Sequence, residues 1–178
     1  MKKWCVVLTL PLGLAAGAAP ASQVPTDALR RPGETTVFSF VTAGGKTAML
    51  CEGPRHAYLV YRFGTAGRVE LQYPAVLDAG SWKKFTYFGY HRGGGVHNAG
   101  REDHTLSFSN GGINYELYDR EQAIVGKNGQ EEYPREIGIT VDVPKGKIVS
   151  IVGKEASSQG GLRLSEEQQE RVKMDGDE

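Results

Sequence analysis

Three of the four histidines lie in one short polar stretch near the middle of the chain, at His91, His97 and His104. Glu102 and Asp103 directly precede the third of them. Imidazole and carboxylate groups are the ligands that zinc and other divalent transition metals take in proteins. The histidines are spaced neither as neighbours on a helix face nor as neighbours on a strand face. We therefore predict no cofactor, and keep a metal site at His91, His97, His104 and Asp103 as the alternative.

The same stretch contains a glycine-rich loop, Arg92-Gly93-Gly94-Gly95. Successive glycine amides beside a guanidinium can bind an anion. Glycines also permit positive φ or a close backbone approach at the corner of a sheet, and we favour that interpretation. No P-loop ending follows the glycines, and no serine lies in a nucleophile-elbow motif. The sequence therefore predicts a binding loop and no catalytic residue.

Aromatic residues are concentrated just before this loop, between Trp82 and Tyr90, and again at Tyr115 and Tyr118. Because side chains of a strand alternate between its faces, only about half of these rings can enter a core. The others would suit a protein partner or, as an alternative, a glycan. We expect the loop and the turn at residues 110–115 to form one surface. Its expected partner contacts are Arg92, His97, Asn98, Arg101, Ser109 and Tyr115.

The rest of the chain reads as short strands separated by glycine and proline turns. Alternation is clearest at residues 68–73, where Val69, Leu71 and Tyr73 should face inward, and at residues 136–143. Residues 105–109 and 113–118 should form a hairpin about Asn110-Gly111-Gly112. Residues 120–135 are polar and interrupted by glycine and proline, which indicates a long loop or, as an alternative, a flexible hairpin. This spacing predicts an all-β antiparallel sandwich or barrel of about nine short strands, with no helix in its body.

The N-terminus has the pattern of an export signal. Lys2 and Lys3 precede an apolar run at residues 5–14, and Ala19-Pro20-Ala21 offers small residues for cleavage. The apolar run is too short for a transmembrane helix. We predict a signal peptide at residues 1–21, a periplasmic or secreted protein, and no membrane insertion after cleavage.

The remaining domain boundaries follow from composition. Residues 22–33 are polar and contain two prolines, so we expect a flexible leader. Residues 34–153 should form the β domain, and residues 154–178 a linker and a polar C-terminal helix or tail. Ser165-Glu166-Glu167-Gln168 matches a capping box at the start of that short helix.

Charge and cysteine content exclude further classes. The chain carries 21 basic and 21 acidic residues, so no strong field favours nucleic acid, and we predict no nucleic-acid partner. After removal of the signal only Cys51 remains, and it lies in an apolar run that reads as a core strand. We expect a buried thiol without a disulfide.

Two short segments resemble the periplasmic inhibitors of C-type lysozyme. Cys51, Leu59-Val60-Tyr61 and Val69-Glu70-Leu71 resemble the opening strands of that family, and residues 109–115 resemble its serine–glycine–tyrosine segment. The chain also looks like exported proteins of proteobacteria. The resemblance implies a small exported β-barrel whose segment at residues 109–115 lies near the lysozyme cleft.

The sequence thus favours an exported soluble binding module and not an enzyme. The resemblance makes it an inhibitor or immunity-type protein whose partner is a cell-wall hydrolase. Two alternatives remain: a metal-dependent or glycan-active periplasmic enzyme, and a structural envelope protein.

Overall fold

The computed structural model describes residues 27–144 and 146–176, and these form an all-β sandwich. The strands are β1 Thr35–Val41, β2 Thr47–Glu52, β3 Leu59–Thr65, β4 Arg68–Tyr73, β5 Thr86–Arg92, β6 Arg101–Asn110, β7 Ile113–Gln122, β8 Ile124–Val125, β9 Glu131–Glu132, β10 Arg135–Val143, β11 Lys147–Val152, β12 Gln159–Gly160 and β13 Lys173–Met174. Among the described residues, one α-helix is present, α1, Glu166–Arg171. Short 3-10 helices lie at Pro54–His56, Ala79–Lys84, Val96–Asn98 and Glu155–Ser157.

Two sheets form the layers of the sandwich. The first has the order β12-β1-β2-β3-β4 and the second β11-β10-β7-β6-β5-β13, while β8 and β9 form a separate hairpin. All pairs are antiparallel except β13 with β5. Nine strands are six or more residues long, and the other four contain two residues each. The predicted fold class is confirmed, and the nine longer strands correspond to the nine expected ones.

The core lies between the two sheets and uses alternate residues of each strand. The first sheet contributes Phe38, Phe40, Leu50 and Tyr61, and the second contributes Leu106 and its neighbours on β5, β7 and β10. One expected inward residue, Val69, is instead 44% exposed. It lies on the edge strand β4, where only the later residues Leu71 and Tyr73 pack against the core.

The β6–β7 hairpin turns as the sequence predicted. Asn110 pairs with Ile113, and the two residues between them, Gly111 and Gly112, have φ of +60° and +80°. Two consecutive positive φ angles are the requirement of a type I′ turn, which matches the twist of the flanking strands.

The described part of the expected leader is packed on the outer face of the first sheet. Leu29 is buried with Met49, Cys51 and Val60. The carboxylate of Glu34 forms two bonds with the Arg62 guanidinium, at 2.7 and 2.8 Å. Arg62 also donates to the Leu29 carbonyl at 3.2 Å. Leu29 and Glu34 therefore anchor residues 29–34 to the domain, although the flexible leader was expected to continue to residue 33. The predicted signal peptide, residues 1–21, lies outside the described residues.

The C-terminal segment contains the expected short helix, which begins with the predicted capping box of Ser165 and Gln168, but the residues on either side of it are not a linker and a tail. Strand β12 pairs with β1, and β13 pairs with β5. Helix α1 buries no residue of its own, yet Leu162, Leu164 and Val172 on either side of it enter the main core. The domain therefore continues past residue 153. Within the described residues, no helix has the length and apolar character needed to cross a membrane.

Candidate functional site

The loop between β5 and β6, residues 93–100, is held in one conformation by its own hydrogen bonds. The Asn98 amide donates to the Gly93 carbonyl at 2.8 Å, and the backbone N–H of Gly100 donates to the Gly95 carbonyl at 2.7 Å. Arg92 Nε donates to the Ala99 carbonyl at 3.1 Å. Gly94 and Gly95 have φ of +94° and +59°, a region where side chains with a Cβ are strained.

A second hairpin is fastened to this loop through one carboxylate. Glu131 of β9 accepts a hydrogen bond from the Val96 amide at 2.5 Å and another from the Tyr133 hydroxyl at 3.0 Å. A Cβ added at Gly95 would overlap the Glu131 carboxylate. The glycines therefore permit this close approach, and a carboxylate of the chain itself bonds the loop amide at Val96.

Next to the loop, one row of side chains crosses the solvent-facing side of the second sheet. Tyr90 on β5 lies opposite Asp103 on β6, Asp103 opposite Arg120 on β7, and Arg120 opposite Glu136 on β10. Asp103 accepts from Arg120 Nε at 2.9 Å and also pairs with Arg101. The two guanidiniums leave its side chain only 8% exposed, so Asp103 fixes the positions of both arginines.

Two rings pack under these arginines. The Arg101 guanidinium lies over Tyr90 at 5.8 Å from the ring centroid, and that of Arg120 lies over Tyr118 at 4.9 Å. Tyr118 reaches across β10, where a Cβ at Gly138 would overlap its hydroxyl. Stacking on an aromatic face restricts a guanidinium while leaving its N–H groups free to donate.

Two depressions open beside these side chains. One of about 660 Å³ is lined by Arg101, Asp103, Arg120 and Glu136 among others. The other, of about 290 Å³, follows the glycine loop past Tyr133. Exposed apolar side chains stand at this end of the molecule: Ile124 is 40% exposed, Val125 62% and Tyr133 54%. We call this surface, formed by residues 90–103, 118–125 and 131–136, the loop-end surface.

The inner face of the same sheet end holds a buried histidine. The Tyr87 hydroxyl and His104 Nδ1 are 2.9 Å apart, and His104 Nε2 lies 3.8 Å from Glu102 without a hydrogen-bond partner. Burial lowers the pKa of His104, although the charges of Glu102 and Asp119 oppose this effect. Gly89 makes room for the Tyr87 ring to reach the histidine.

An ion pair next to this histidine ties the C-terminal segment to the sheet. Arg135 binds both oxygens of Asp119, at 2.6 and 2.8 Å, which raises the pKa of Arg135. Asp119 also accepts from the Leu162 amide at 3.0 Å, and Arg135 donates to the Gly160 carbonyl at 3.1 Å. The role of this pair is to hold residues 160–162 against the sheet.

The six expected contact residues fall into two groups at opposite ends of β6. Arg92, His97, Asn98 and Arg101 belong to the glycine loop or its flanks, whereas Ser109 and Tyr115 flank the β6–β7 turn. Arg101 and Ser109 are eight positions apart along this extended strand, or about 26 Å at the usual rise per residue. The expectation of one joint surface is wrong, because a continuous ten-residue strand keeps the loop and the turn apart.

The three histidines of this stretch do not come together at one point: two of them face the same carboxylate, Glu102, and the third lies in the loop. His91 Nδ1 lies 2.9 Å from Glu102 Oε1, His104 faces the other oxygen of that carboxylate, and His97 is exposed in the 3-10 helix of the loop. Across residues 27–144 and 146–176, no three His, Cys, Asp or Glu side chains are grouped so that they could hold a metal ion.

Several residues of the loop-end surface were not singled out from the sequence. Residues 120–135 were expected to be a long loop or a flexible hairpin. The β8–β9 hairpin matches the second alternative, but β7 continues to Gln122 beyond the expected strand. The alternation of Tyr118, Arg120 and Gln122 with Leu117 and Asp119 was a strand signal that could have found Arg120. Nothing in the sequence pattern pairs Glu131 with Val96, because that contact depends on the path of two loops.

Comparisons with models of protein families, with curated proteins and with solved structures gave no match to this chain.

Proposed function

We propose that this chain is an exported binding protein that holds a protein partner on its loop-end surface. The observation that carries the proposal is the ordered state of that surface: internal hydrogen bonds and Glu131 fix the loop. A surface that needs no ordering loses less conformational entropy on binding, and affinity rises accordingly.

The residue types of the surface support a protein partner. Arginine and tyrosine dominate the energetics of many protein interfaces, and here Arg92, Arg101 and Arg120 accompany Tyr90 and Tyr133. Exposed Ile124 and Val125 add apolar area at the edge. Carboxylates, among them Glu121 and Glu136, line the larger depression beside the arginines, so its charges are of both signs. A surface of mixed charges and phenols beside an apolar rim suits a polar protein partner better than a small apolar ligand.

The class of partner comes from the resemblance to inhibitors of C-type lysozyme, which makes a cell-wall hydrolase the partner to test. The part of that resemblance at residues 109–115 lies at the turn end, so it supports the class of partner and not the loop-end surface as its location. Lysis of a bacterial cell-wall suspension by C-type lysozyme should slow when excess mature protein is added. An unchanged rate, found again with the cell-wall hydrolases of competing bacteria, would remove the inhibitor role from the proposal.

Paired variants locate the surface. Arg101→Ala combined with Tyr133→Ala should weaken binding about thirtyfold, the equivalent of about 2 kcal/mol. Both side chains are exposed, so the circular dichroism spectrum should not change. Arg68→Ala, on the exposed edge of the first sheet, is the matched control and should bind as the unmodified protein does. Loss of binding in Ser109→Ala with Asn114→Ala, and not in the first pair, would assign the partner to the turn end instead.

Export itself has a separate test, motivated by the pattern at residues 1–21. Intact-mass measurement of protein purified from the cell envelope should show that about the first 21 residues have been removed, as expected for a signal peptide. Recovery of only the full-length chain from the cytoplasm would contradict export while leaving the binding surface untouched.

A further inference from the structure

A separate depression lies at the other end of the second sheet, near the β6–β7 turn, and has a volume of about 390 Å³. Three lysines line it, Lys83, Lys84 and Lys173, and no acidic side chain does. The whole chain has equal numbers of acidic and basic residues, so the positive charge of these three lysines is specific to this depression. We call this depression the lysine groove.

One of these ammonium groups is held in place without being neutralised. Lys83 Nζ donates to the carbonyls of Glu170 and Val172 at the end of α1, at 3.1 and 2.9 Å. A lysine ammonium has three N–H donors, so one remains for a ligand. Among the described residues, none of the three lysines has a carboxylate within ion-pair distance. Their charge is therefore available to an anion.

The floor of the groove supplies neutral hydrogen-bonding groups. Lys173 on β13 lies opposite Thr86 on β5, and Thr86 lies opposite Ser107 on β6, which places all three on the solvent side. One step further along, Ser109 donates to the side-chain oxygen of Asn114 at 2.6 Å. That bond leaves the Asn114 amide N–H groups free to donate and the Ser109 oxygen free to accept.

One aromatic residue borders the groove at the core. Tyr73 and Phe108 both line the depression and are stacked with 4.4 Å between ring centroids. Phe108 is only 5% exposed and belongs to the core, so the half-buried Tyr73 is the ring that can meet the C–H groups of a sugar beside the hydroxyl and amide groups.

The groove continues into a neighbouring depression of about 720 Å³ that shares all three lysines and also contains one acidic residue, Asp78, which caps the 3-10 helix at Ala79–Lys84. Val76, 69% exposed, lies along it. The lysines thus stand where two open depressions meet, which gives room for a chain of several units and not for a single small anion.

We infer that the lysine groove binds an acidic saccharide, in which carboxylates meet the lysines and ring hydroxyls meet Ser107, Ser109 and Asn114. The lysine ammonium groups match the carboxylates of the ligand, and the hydroxyl, amide and aromatic groups match its sugar rings. The groove is distinct from the loop-end surface, from which β6 separates it, so the two sites are tested independently.

Isothermal titration of the mature protein with a short oligogalacturonate tests this inference. The expected result is saturable binding that weakens as salt is added, because screened charges contribute to it. The same oligomer with its carboxylates methyl-esterified should bind about tenfold more weakly or not at all. Equal binding of the esterified oligomer would overturn the assignment of the lysines.

Charge reversal identifies the site. Lys84→Glu combined with Lys173→Glu should weaken oligogalacturonate binding roughly tenfold or more, since both attractive charges become repulsive. Lys147→Glu, at the opposite edge of the same sheet, is the control and should leave binding unchanged. Lys83 is kept because it bonds the end of α1. If the control weakened binding equally, the proposed location would be wrong. If a single-stranded oligonucleotide bound more tightly than the saccharide, the proposed ligand class would be wrong.

Discussion

The carboxylate of Glu131 and the backbone amide of Val96 are joined by a hydrogen bond of 2.5 Å across 35 residues of sequence. At its base the loop is already tied to the start of this hairpin, because the Ala123 amide donates to the Gly100 carbonyl at 2.8 Å. The Glu131–Val96 contact adds a second link, between β9 and the 3-10 helix of the loop. The loop-end surface is therefore one unit whose order depends on a residue outside the loop.

Glu131→Gln should loosen that unit without unfolding the protein. The amide oxygen of glutamine is a weaker acceptor than a carboxylate, and the site is exposed, so we expect faster hydrogen exchange at the Val96 amide and a loss of at most about 1 kcal/mol in unfolding free energy. Exchange resolved by residue measures the effect. Glu132→Gln, at the next position, is the control and should leave the Val96 rate unchanged. A Val96 amide that exchanges equally fast in all three proteins would show that the contact does not order the loop.

The Glu34–Arg62 pair should be one of the most sensitive positions in the first sheet. Both side chains are buried, 0% and 1% exposed, and hydrogen bonds from Arg62, Arg31 and Tyr58 lower the pKa of Glu34 although burial alone would raise it. Arg62→Ala leaves the carboxylate buried and unpaired, and should cost about 3–5 kcal/mol of unfolding free energy.

Chemical denaturation measures this cost. Gln72→Ala removes only the acceptor of Arg62 Nε and should cost about 1 kcal/mol. Similar losses in both variants would mean that the ion pair contributes no more than an ordinary hydrogen bond.

His104 should make stability depend on pH in the weakly acidic range. Its pKa is lowered from the usual 6.5 by burial, so the unfolded chain binds a proton more readily than the folded one. Linkage then requires the unfolding free energy to fall as pH drops below about 6.5, until the folded-state pKa is reached. Tyr87, Glu102 and Asp119 surround the ring, and each stays in place in the test.

Unfolding free energies measured from neutral to weakly acidic pH give the slope of stability against pH. The glutamine in His104→Gln keeps a polar group for Tyr87 but does not titrate, so the unfolding free energy of this variant should change less with pH. His97→Gln, at an exposed histidine, should retain the slope of the unmodified protein. Equal slopes in all three would assign the pH dependence to other groups.

Cys51 should be inert in the folded protein. Burial, together with the charge of Glu34, raises the pKa of its thiol to about 12, and the residue is 0% exposed. Since the thiolate is the reactive species, a thiol reagent should label the protein only after unfolding. Cys51→Ala should lower the unfolding free energy by about 1–2 kcal/mol through lost apolar volume. Rapid labelling of the native protein would contradict this burial.

The fold class could be predicted because period-2 alternation fixes strands directly. Ile137 and Ile139 on β10 face the core as expected, and the two glycines of the β6–β7 turn required positive φ. The ends of the domain were harder, because Leu162, Leu164 and Val172 are scattered among polar residues without a period. Burial of such single side chains follows from tertiary packing, which local patterns do not contain.

The residues of the candidate loop-end surface could be predicted only in part, because local patterns do not show which strands and loops meet. Arg92, Asn98 and Arg101 could be found because a glycine-rich loop concentrates polar groups between strands. Their separation from Ser109 depends on the full length of β6, and strand ends are the least certain feature of a pattern. Arg120 and Glu131 join the surface only through cross-strand pairing and loop packing.

Hydrogen exchange of the protein with and without C-type lysozyme is the most direct test of the loop-end surface as a partner site. Residues 93–100 and 124–133 should exchange more slowly in the complex, while residues 68–73 on the first sheet should not change. Protection confined to residues 109–115, or no protection anywhere at saturating lysozyme, would contradict the account.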